Sequence, residues 1–286
     1  MTTHSKEENT YPIDPENAVE MARLLNQDMT LTRAMGGPLS EQPDAPLFHD
    51  VLDLACGPGG WVLDVARLLP EAQVTGVDIS KLMTDYGNAS AKARGLQNAH
   101  FTTMNIQEQF PFEDGTFDLV NARTLVAVLM PQVWPRLLRE TFRLTRPGGV
   151  IRLTEAEMPI TNSPAFEQLS QMSLNAFSTT GRSFAPTARN FGITPVLSRL
   201  LRHAGYQNIQ HQAYGVDSSA GTEGHEGFYQ DFMVVFQLGK KFFVDLGLTT
   251  NEKYEDLYQQ TLREMRADDF CAIGYMLTVW GEKPKA

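Results

Sequence analysis

The sequence predicts an α/β protein with a mostly parallel, seven-stranded sheet and helices on both faces. From residue 50 onward, short aliphatic runs alternate with amphipathic segments of helical length. Strands separated by such helices need crossover connections, which place successive strands parallel. The first run, residues 51–54, also passes into a glycine turn and then a helical pattern. That arrangement binds nucleotide-sized ligands at the carboxyl ends of sheet strands.

One helix precedes the first strand. Asp14 fits an N-cap with Pro15 at the first helical position, and apolar residues then recur at helical spacing until Gly36 and Gly37 end the pattern. We expect residues 1–45 to form an N-terminal arm and helix that contribute to a lid, and residues 46–286 to form the main domain.

Each later element follows from its residue pattern. Apolar runs bounded by turn residues predict strands, and apolar residues at every third or fourth position predict helices. The predicted strands cover residues 50–54, 73–77, 100–104, 117–121, 150–155, 208–216 and 270–280. The predicted helices cover residues 61–69, 81–94, 134–144, 163–177, 194–205, 228–246 and 251–266. The less regular regions at about 159–195 and 218–268 are expected to be helical insertions in the lid.

Composition excludes several classes of protein. A net charge of −10 repels a phosphate backbone, so nucleic acid is not an expected partner. No apolar stretch approaches the ~18–20 residues of a membrane span. Two cysteines, Cys56 and Cys271, provide neither a disulfide framework nor a zinc site, and no metal is expected. The polar residues 1–9 do not resemble a secretory signal, so a cytoplasmic location is expected.

The residues around the glycine turn discriminate between ligands. A dinucleotide fingerprint requires glycine at its first, third and sixth positions. Gly57 and Gly59 fit, but Val62 stands at the sixth position. Asp53 at the strand end would repel a pyrophosphate and favours an ammonium or a sulfonium group. Asp78 ends the second strand, where a carboxylate either accepts ribose hydroxyls or caps the next helix.

Residues 51–61 resemble motif I of the class I S-adenosylmethionine (SAM)-dependent methyltransferases. Residues 112–120 and 146–149 are similar to the loops before the fourth and fifth strands of members that methylate small metabolites, including quinone, sterol and natural-product precursors. The resemblance implies a Rossmann-like class I methyltransferase fold. It also implies methyl transfer from SAM to a small organic metabolite by in-line displacement, with S-adenosylhomocysteine (SAH) as product. Alignment of the reactants supplies ~7–11 kcal/mol in well-oriented systems, so a dedicated catalytic residue is optional.

The resemblance also implies which residues hold the cofactor. Asp53 matches the acid that holds the methionine ammonium, and Asp78 matches the acid that takes the ribose. Met83 either contacts the adenine or belongs to the helix core. Asn105 departs from the usual aspartate, but its carbonyl oxygen can still accept the adenine amino group. The full expected set is Asp53, Ala55, Gly57, Gly59, Asp78, Ile79, Met83, Asn105, Ile106 and Asn121.

The identity of a general base stays open at this point. His225, after a glycine-rich loop, is the best candidate, and Tyr11 and Tyr229 are weaker ones. Glu155 and Glu157 face either the acceptor or solvent. Two other functions remain: a SAM-binding protein without methyl transfer, and a nicotinamide-dependent oxidoreductase, which the missing third glycine disfavours. The expected partner is a small-molecule methyl acceptor, and the chain could form a homodimer.

Overall fold

The computed structural model describes residues 12–42 and 47–285. Its strands are β1 (Asp50–Leu54), β2 (Gln73–Asp78), β3 (Ala99–Thr103), β4 (Phe117–Arg123), β5 (Thr145–Ala156), β6 (Ile160–Thr161), β7 (Gln207–Asp217) and β8 (Ala272–Glu282). Its helices are α1 (Ala18–Ala34), α2 (Gly60–Leu68), α3 (Lys81–Ala93), α4 (Trp134–Leu144), α5 (Pro164–Thr179), α6 (Leu197–Ala204), α7 (His225–Asp245) and α8 (Asn251–Met265).

The described strands form a single mixed sheet of eight strands. Strands β3, β2, β1, β4 and β5 lie side by side in that order and are parallel. Strand β8 pairs antiparallel with β5, and β7 pairs antiparallel with the other edge of β8. Ile273 of β8 pairs with both Ile160 and Asp217, so the two-residue β6 continues the line of β5. The predicted mostly parallel α/β sheet is confirmed, with β6 as an addition.

The first helix begins later than its sequence predicts. Asn17 is the N-cap, since its side-chain oxygen accepts from the backbone N–H groups of Val19 and Glu20 at 2.8 and 3.3 Å. Asp14 instead accepts from the N–H of Glu16 at 3.0 Å, within the turn before the helix. Asp and Asn side chains cap turns and helices by the same hydrogen bond, and the sequence offers both residues.

Two apolar clusters cover the two faces of the sheet, and a third lies among added helices. Side chains of successive β1 residues point to opposite faces of the sheet. Leu52 packs in a cluster with α4 and α6, whereas Val51 packs in a cluster with α2. The third cluster joins α5, α7 and α8 through Phe166, Phe236 and Tyr254. The added helices therefore have a core of their own beside the carboxyl ends of the parallel strands.

Gly59 in the turn after β1 meets two constraints at once. Its φ of +85° lies in the left-handed region, which disfavours side chains. A Cβ atom at this position would also lie 2.1 Å from the ring of Phe101 on β3. The glycine is thus required by backbone conformation and by the close approach of an aromatic ring.

We expect Gly59→Ala to destabilise the protein more than Gly95→Ala, measured as the free energy of unfolding in urea. Gly95 has a φ of +71° and nothing within 4 Å of an added Cβ, so it serves as a matched control for backbone strain of about 1–2 kcal/mol. Gly59→Ala adds overpacking against Phe101, worth a further 1–3 kcal/mol, roughly. Equal losses in the two variants would contradict the role of the ring.

Candidate functional site

A cavity of about 370 Å³ lies where β1, β2 and β4 end. One side consists of the turn after β1, the ends of these strands and the start of α3. The other side is a helical wall, the cavity-lining residues of α1, α5 and α7. Open α/β sheets bind ligands at this edge, outside the carboxyl ends of their strands.

Most of the residues expected to hold a cofactor line this cavity. The residues in its lining are Asp53, Ala55, Gly57, Asp78, Ile79, Met83, Asn105 and Ile106. Gly59 lies instead beneath the ring of Phe101. Asn121 is fully buried behind Asp53 and donates from Nδ2 to Asp53 Oδ1 at 2.7 Å. These two residues shape and support the site from behind.

Asp53 begins a buried row of side chains that crosses the sheet. Asp53, Asn121 and Arg152 occupy paired positions on β1, β4 and β5. Arg152 donates from Nη1 to Asn121 Oδ1 at 2.8 Å and forms an ion pair with Glu41, which follows α1. Tyr214 of β7 also donates to Glu41, at 3.1 Å. We call Asp53, Asn121, Arg152 and Glu41 the polar row.

The charge of Asp53 depends on this environment. The carboxyl group is 3% exposed, and burial raises its pKa to about 7. The positive charge of Arg123 and the hydrogen bond from Asn121 act in the opposite direction and lower the pKa. Because the pKa of this carboxyl group lies near neutral pH, a cationic ligand beside it shifts it to its ionised form.

Asp78 faces the cavity and does not cap α3. Its Oδ2 accepts from the N–H of Gly57 and its Oδ1 from the N–H of Ser80, both at 2.9 Å. The N-cap of α3 is Ser80, whose hydroxyl accepts from the N–H of Met83 at 3.2 Å. Burial raises the pKa of Asp78. The carboxylate therefore joins β2 to the glycine turn at the edge of the cavity.

Apolar side chains form the neighbouring part of the lining. Ile79 is partly exposed, whereas Met83 is 1% exposed and belongs to the α3 core while it also lines the cavity. Both interpretations of Met83 are therefore compatible with its position. Asn105 accepts from the N–H of Gln107 at 2.9 Å through its side-chain oxygen. This bond fixes the orientation of the amide beside Ile106.

These residues match SAM group by group. The apolar surface of Ile79, Met83 and Ile106 suits a flat adenine, and the Asp78 carboxylate suits a ribose diol. The Asp53 carboxyl suits an ammonium group. The donor set of the cavity thus fits this cofactor on the observed lining alone.

The sequence did not indicate two charged groups that line the same cavity. Arg123, at the end of β4, forms an ion pair with Asp28 of α1 and donates to Thr32 Oγ1 at 3.1 Å. Asp28 rests against the first residue of α2, since a Cβ atom at Gly60 would lie 1.9 Å from Asp28 Oδ2. The position of Arg123 at the end of a strand could have identified it as a site residue from the sequence. Which side of α1 faces the cavity depends on tertiary packing, which the helical pattern does not specify.

The second charged group joins α1 to α7. Arg23 forms an ion pair with Asp231 at 2.5 Å and with Glu20 at 2.7 Å. Gln27 donates to the other oxygen of Asp231 at 3.2 Å. Burial raises the pKa of Asp231, and the charge of Arg23 opposes the rise. One guanidinium thus pairs with two carboxyl groups and holds the two helices of the wall together.

Two of the candidate general bases, His225 and Tyr229, do not line the cavity. The His225 Nε2 lies 2.7 Å from the carbonyl oxygen of Met265. The ring of Tyr229 packs under the guanidinium of Arg266, 3.7 Å from its centroid. Tyr11 lies outside the described residues.

The two glutamates at the end of β5 hold loops. Glu155 is buried and accepts from the N–H groups of Leu125 and Val126 at 2.7 and 3.3 Å, and burial raises its pKa to about 8. Glu157 lines the cavity and accepts from the N–H groups of Phe191 and Gly192 at 2.7 and 3.1 Å. Each glutamate thus holds a neighbouring loop through backbone N–H donors.

No group of three or more His, Cys, Asp or Glu side chains within residues 12–42 and 47–285 is placed to hold a metal ion. Over the same residues, none of the helices has the length and apolar character needed to cross a bilayer.

Comparisons with known proteins identify a methyltransferase domain. Residues 51–149 match the family model described as a methyltransferase domain. The chain is 28% identical over 177 residues to demethylmenaquinone methyltransferase of Lactococcus lactis, covering 58% of this chain and 68% of the relative. It is 32% identical over 156 residues to trans-aconitate 2-methyltransferase of Deinococcus radiodurans, covering 54% and 55%. The crystal structure of a Bacillus protein, YcgJ, has the same fold, with a TM-score of 0.51 at 17% identity and coverage of 83% and 93%.

We expect the affinity for SAH to fall as the pH drops below about 7, because protons then compete with the ammonium group of SAH for Asp53. The linkage predicts about a tenfold loss for each pH unit below the pKa and a plateau above it. Calorimetric titration of SAH between pH 5.5 and 8 measures this. In Asp53→Asn the affinity should be lower and the slope should be shallower, with any remainder due to Asp78, whose pKa burial also raises. An equal slope in both proteins would contradict the assignment.

Proposed function

We infer that this chain, a class I SAM-dependent methyltransferase, transfers a methyl group to a neutral small organic acceptor beneath the helical wall. The observation that supports this inference most directly is one continuous cavity, which extends from the carboxylates at the ends of β1 and β2 to an apolar surface on α5 and α7. A single cavity can hold a methyl donor and an acceptor in contact.

We assign the cofactor to the strand-end side of the cavity. Asp53 holds the ammonium group and Asp78 accepts the ribose hydroxyls, in agreement with their burial and their position in the lining. Ile79 and Met83 contact the adenine, and Asn105 lies beside it. Bound SAM supplies a methyl group on a sulfonium, which is already activated for transfer. The work left to the protein is to align the acceptor and exclude water.

The acceptor occupies the apolar side of the cavity. Its aromatic lining consists of Phe177, Phe191, Phe232, Phe236, Phe242 and Phe243. The lining residues of α7 run from Asp231 to Phe243, about 18 Å along a helix at 1.5 Å per residue. Small-molecule sites of this kind are mostly apolar with few polar groups, and an elongated organic acceptor suits the shape.

The charges around the cavity favour a neutral acceptor. Arg123 is paired with Asp28, and Arg23 is paired with Asp231 and Glu20. The remaining carboxylates, including Glu157, add negative charge to the lining. An anionic acceptor would be repelled by these carboxylates, and the two arginines named above are already paired. Burying an unpaired charge is costly. The names of the two curated relatives support a small organic acceptor but differ on its charge, since demethylmenaquinone is neutral and trans-aconitate is an anion.

Several sequence expectations stay predictions. These are the lid role of residues 1–45, the boundaries of the insertions at 159–195 and 218–268, the cytoplasmic location, the homodimer and the exclusion of nucleic acid. The helices α1, α5 and α7 do contribute to the cavity wall, which supports the lid interpretation. The family match favours methyl transfer over the nicotinamide-dependent alternative.

A methyl-transfer assay with labelled SAM tests the proposed function. The panel contains matched pairs of acceptors, such as 4-alkylphenols and the 4-hydroxybenzoates that differ by a carboxylate. We expect transfer to neutral members and at least a tenfold lower rate with their anionic counterparts, since a buried carboxylate would stay unpaired. SAH binding without transfer to any acceptor would favour the SAM-binding alternative. Faster transfer to the anionic members would overturn the neutral-acceptor proposal.

A further inference from the structure

We propose that Arg123 binds the carboxylate of the cofactor's amino-acid group and that the Asp28 carboxylate competes for the same guanidinium. The proposal rests on the proposed function, because it concerns the same cofactor. It adds a residue that the sequence did not indicate and gives the ion pair between α1 and β4 a role in binding.

The topology places Arg123 beside Asp53. The strands β1 and β4 are adjacent and parallel, and Leu54 pairs with Ala122, so the residues that flank this pair lie at the same edge of the sheet. Both Asp53 and Arg123 line the cavity, and the charge of Arg123 lowers the pKa of Asp53. Neighbouring opposite charges complement an α-amino acid, whose ammonium and carboxylate are attached to one carbon.

The guanidinium of Arg123 suits a carboxylate ligand. It presents five N–H donors in a planar fork, which binds carboxylates through two parallel hydrogen bonds. In this structure one terminal nitrogen contacts Asp28 and the other donates to Thr32 Oγ1. The side chain is 16% exposed, so it keeps an opening toward the cavity.

Asp28 already presents a carboxylate to Arg123. Its side chain comes from α1, outside the sheet, and is 14% exposed. The carboxylate lies between Arg123 and the start of α2, against Gly60. Exchange of this internal carboxylate for that of the ligand keeps Arg123 paired in both states. Asp28 then keeps the hydrogen bond that the Thr32 hydroxyl donates to it at 3.2 Å. The negative charge of Asp28 also raises the pKa of Asp53, so Asp28 lies within electrostatic reach of both groups.

A truncation series of ligands tests the proposal by calorimetry, with no methyl acceptor present. SAH carries both groups of the amino acid, its decarboxylated analogue carries only the amine, and 5′-methylthioadenosine carries neither. We expect Arg123→Met to weaken SAH binding tenfold to a hundredfold, the range of a charge-assisted pair. The decarboxylated analogue should lose less affinity than SAH, because it shares only the effect of the raised Asp53 pKa, so the preference for SAH over it should fall at least threefold. Binding of methylthioadenosine should stay within threefold of the wild type. Asp53→Asn should weaken both amine-bearing ligands and spare methylthioadenosine.

Two further variants separate binding from structure. Asp28→Asn should strengthen SAH binding severalfold, because the internal competitor for Arg123 is lost. Thr32→Val serves as a control that removes the hydroxyl in contact with both Arg123 and Asp28 but keeps both charges, and it should leave the preference for SAH over its decarboxylated analogue intact.

Three results would overturn the proposal. The first is an equal loss of all three ligands in Arg123→Met, which would indicate a structural role. The second is unchanged SAH affinity in that variant with methylthioadenosine still bound. The third is weaker SAH binding in Asp28→Asn, which would make Asp28 a ligand of the ammonium. Failure of the wild type to bind any of the three ligands would overturn the cofactor assignment as well.

Discussion

The buried guanidinium of Arg152 is the constraint on which the site depends. Its side chain is 0% exposed in the middle of the sheet, where a charge is costly unless it is paired and hydrogen-bonded. Glu41 supplies the charge, and Asn121 supplies the acceptor. Because the Asn121 oxygen must face Arg152, its amide nitrogen must face Asp53, to which it donates. The polar row therefore sets both the position and the charge of the carboxyl group in the cavity.

The same row ties the N-terminal part of the chain to the sheet. Glu41 follows the turn segment that ends α1, so the ion pair with Arg152 fixes one end of the segment that carries the helix. Two further ion pairs, Arg123 with Asp28 and Arg23 with Asp231, then join α1 to β4 and α7. The helical wall is thus held by buried or half-buried charge pairs, and its apolar side chains are left to contact a ligand. Breaking such a pair by removing one partner costs far more than a surface ion pair.

The sequence predicted the parts of the site that depend on strand ends. Asp53 and Asp78 follow apolar runs directly, and parallel strands bring such residues to one edge of a sheet. The parts that depend on long-range pairing escaped it. Arg152 lies between apolar residues in a strand, and its partner Glu41 is 111 residues away, so no local pattern connects them. His225 was attractive because it follows a glycine-rich loop, but the first turn of α7 directs it to the carbonyl group of Met265.

Direct titration of the Asp53 carboxyl by carbon-detected NMR tests the polar row most closely. In the wild type the carboxyl should titrate near pH 7. In Arg152→Met its pKa should rise, because the positive charge is lost and the amide of Asn121 is free to turn its oxygen toward Asp53. Arg152→Lys keeps the charge and should show a smaller rise. Identical titration curves in all three proteins would contradict the account.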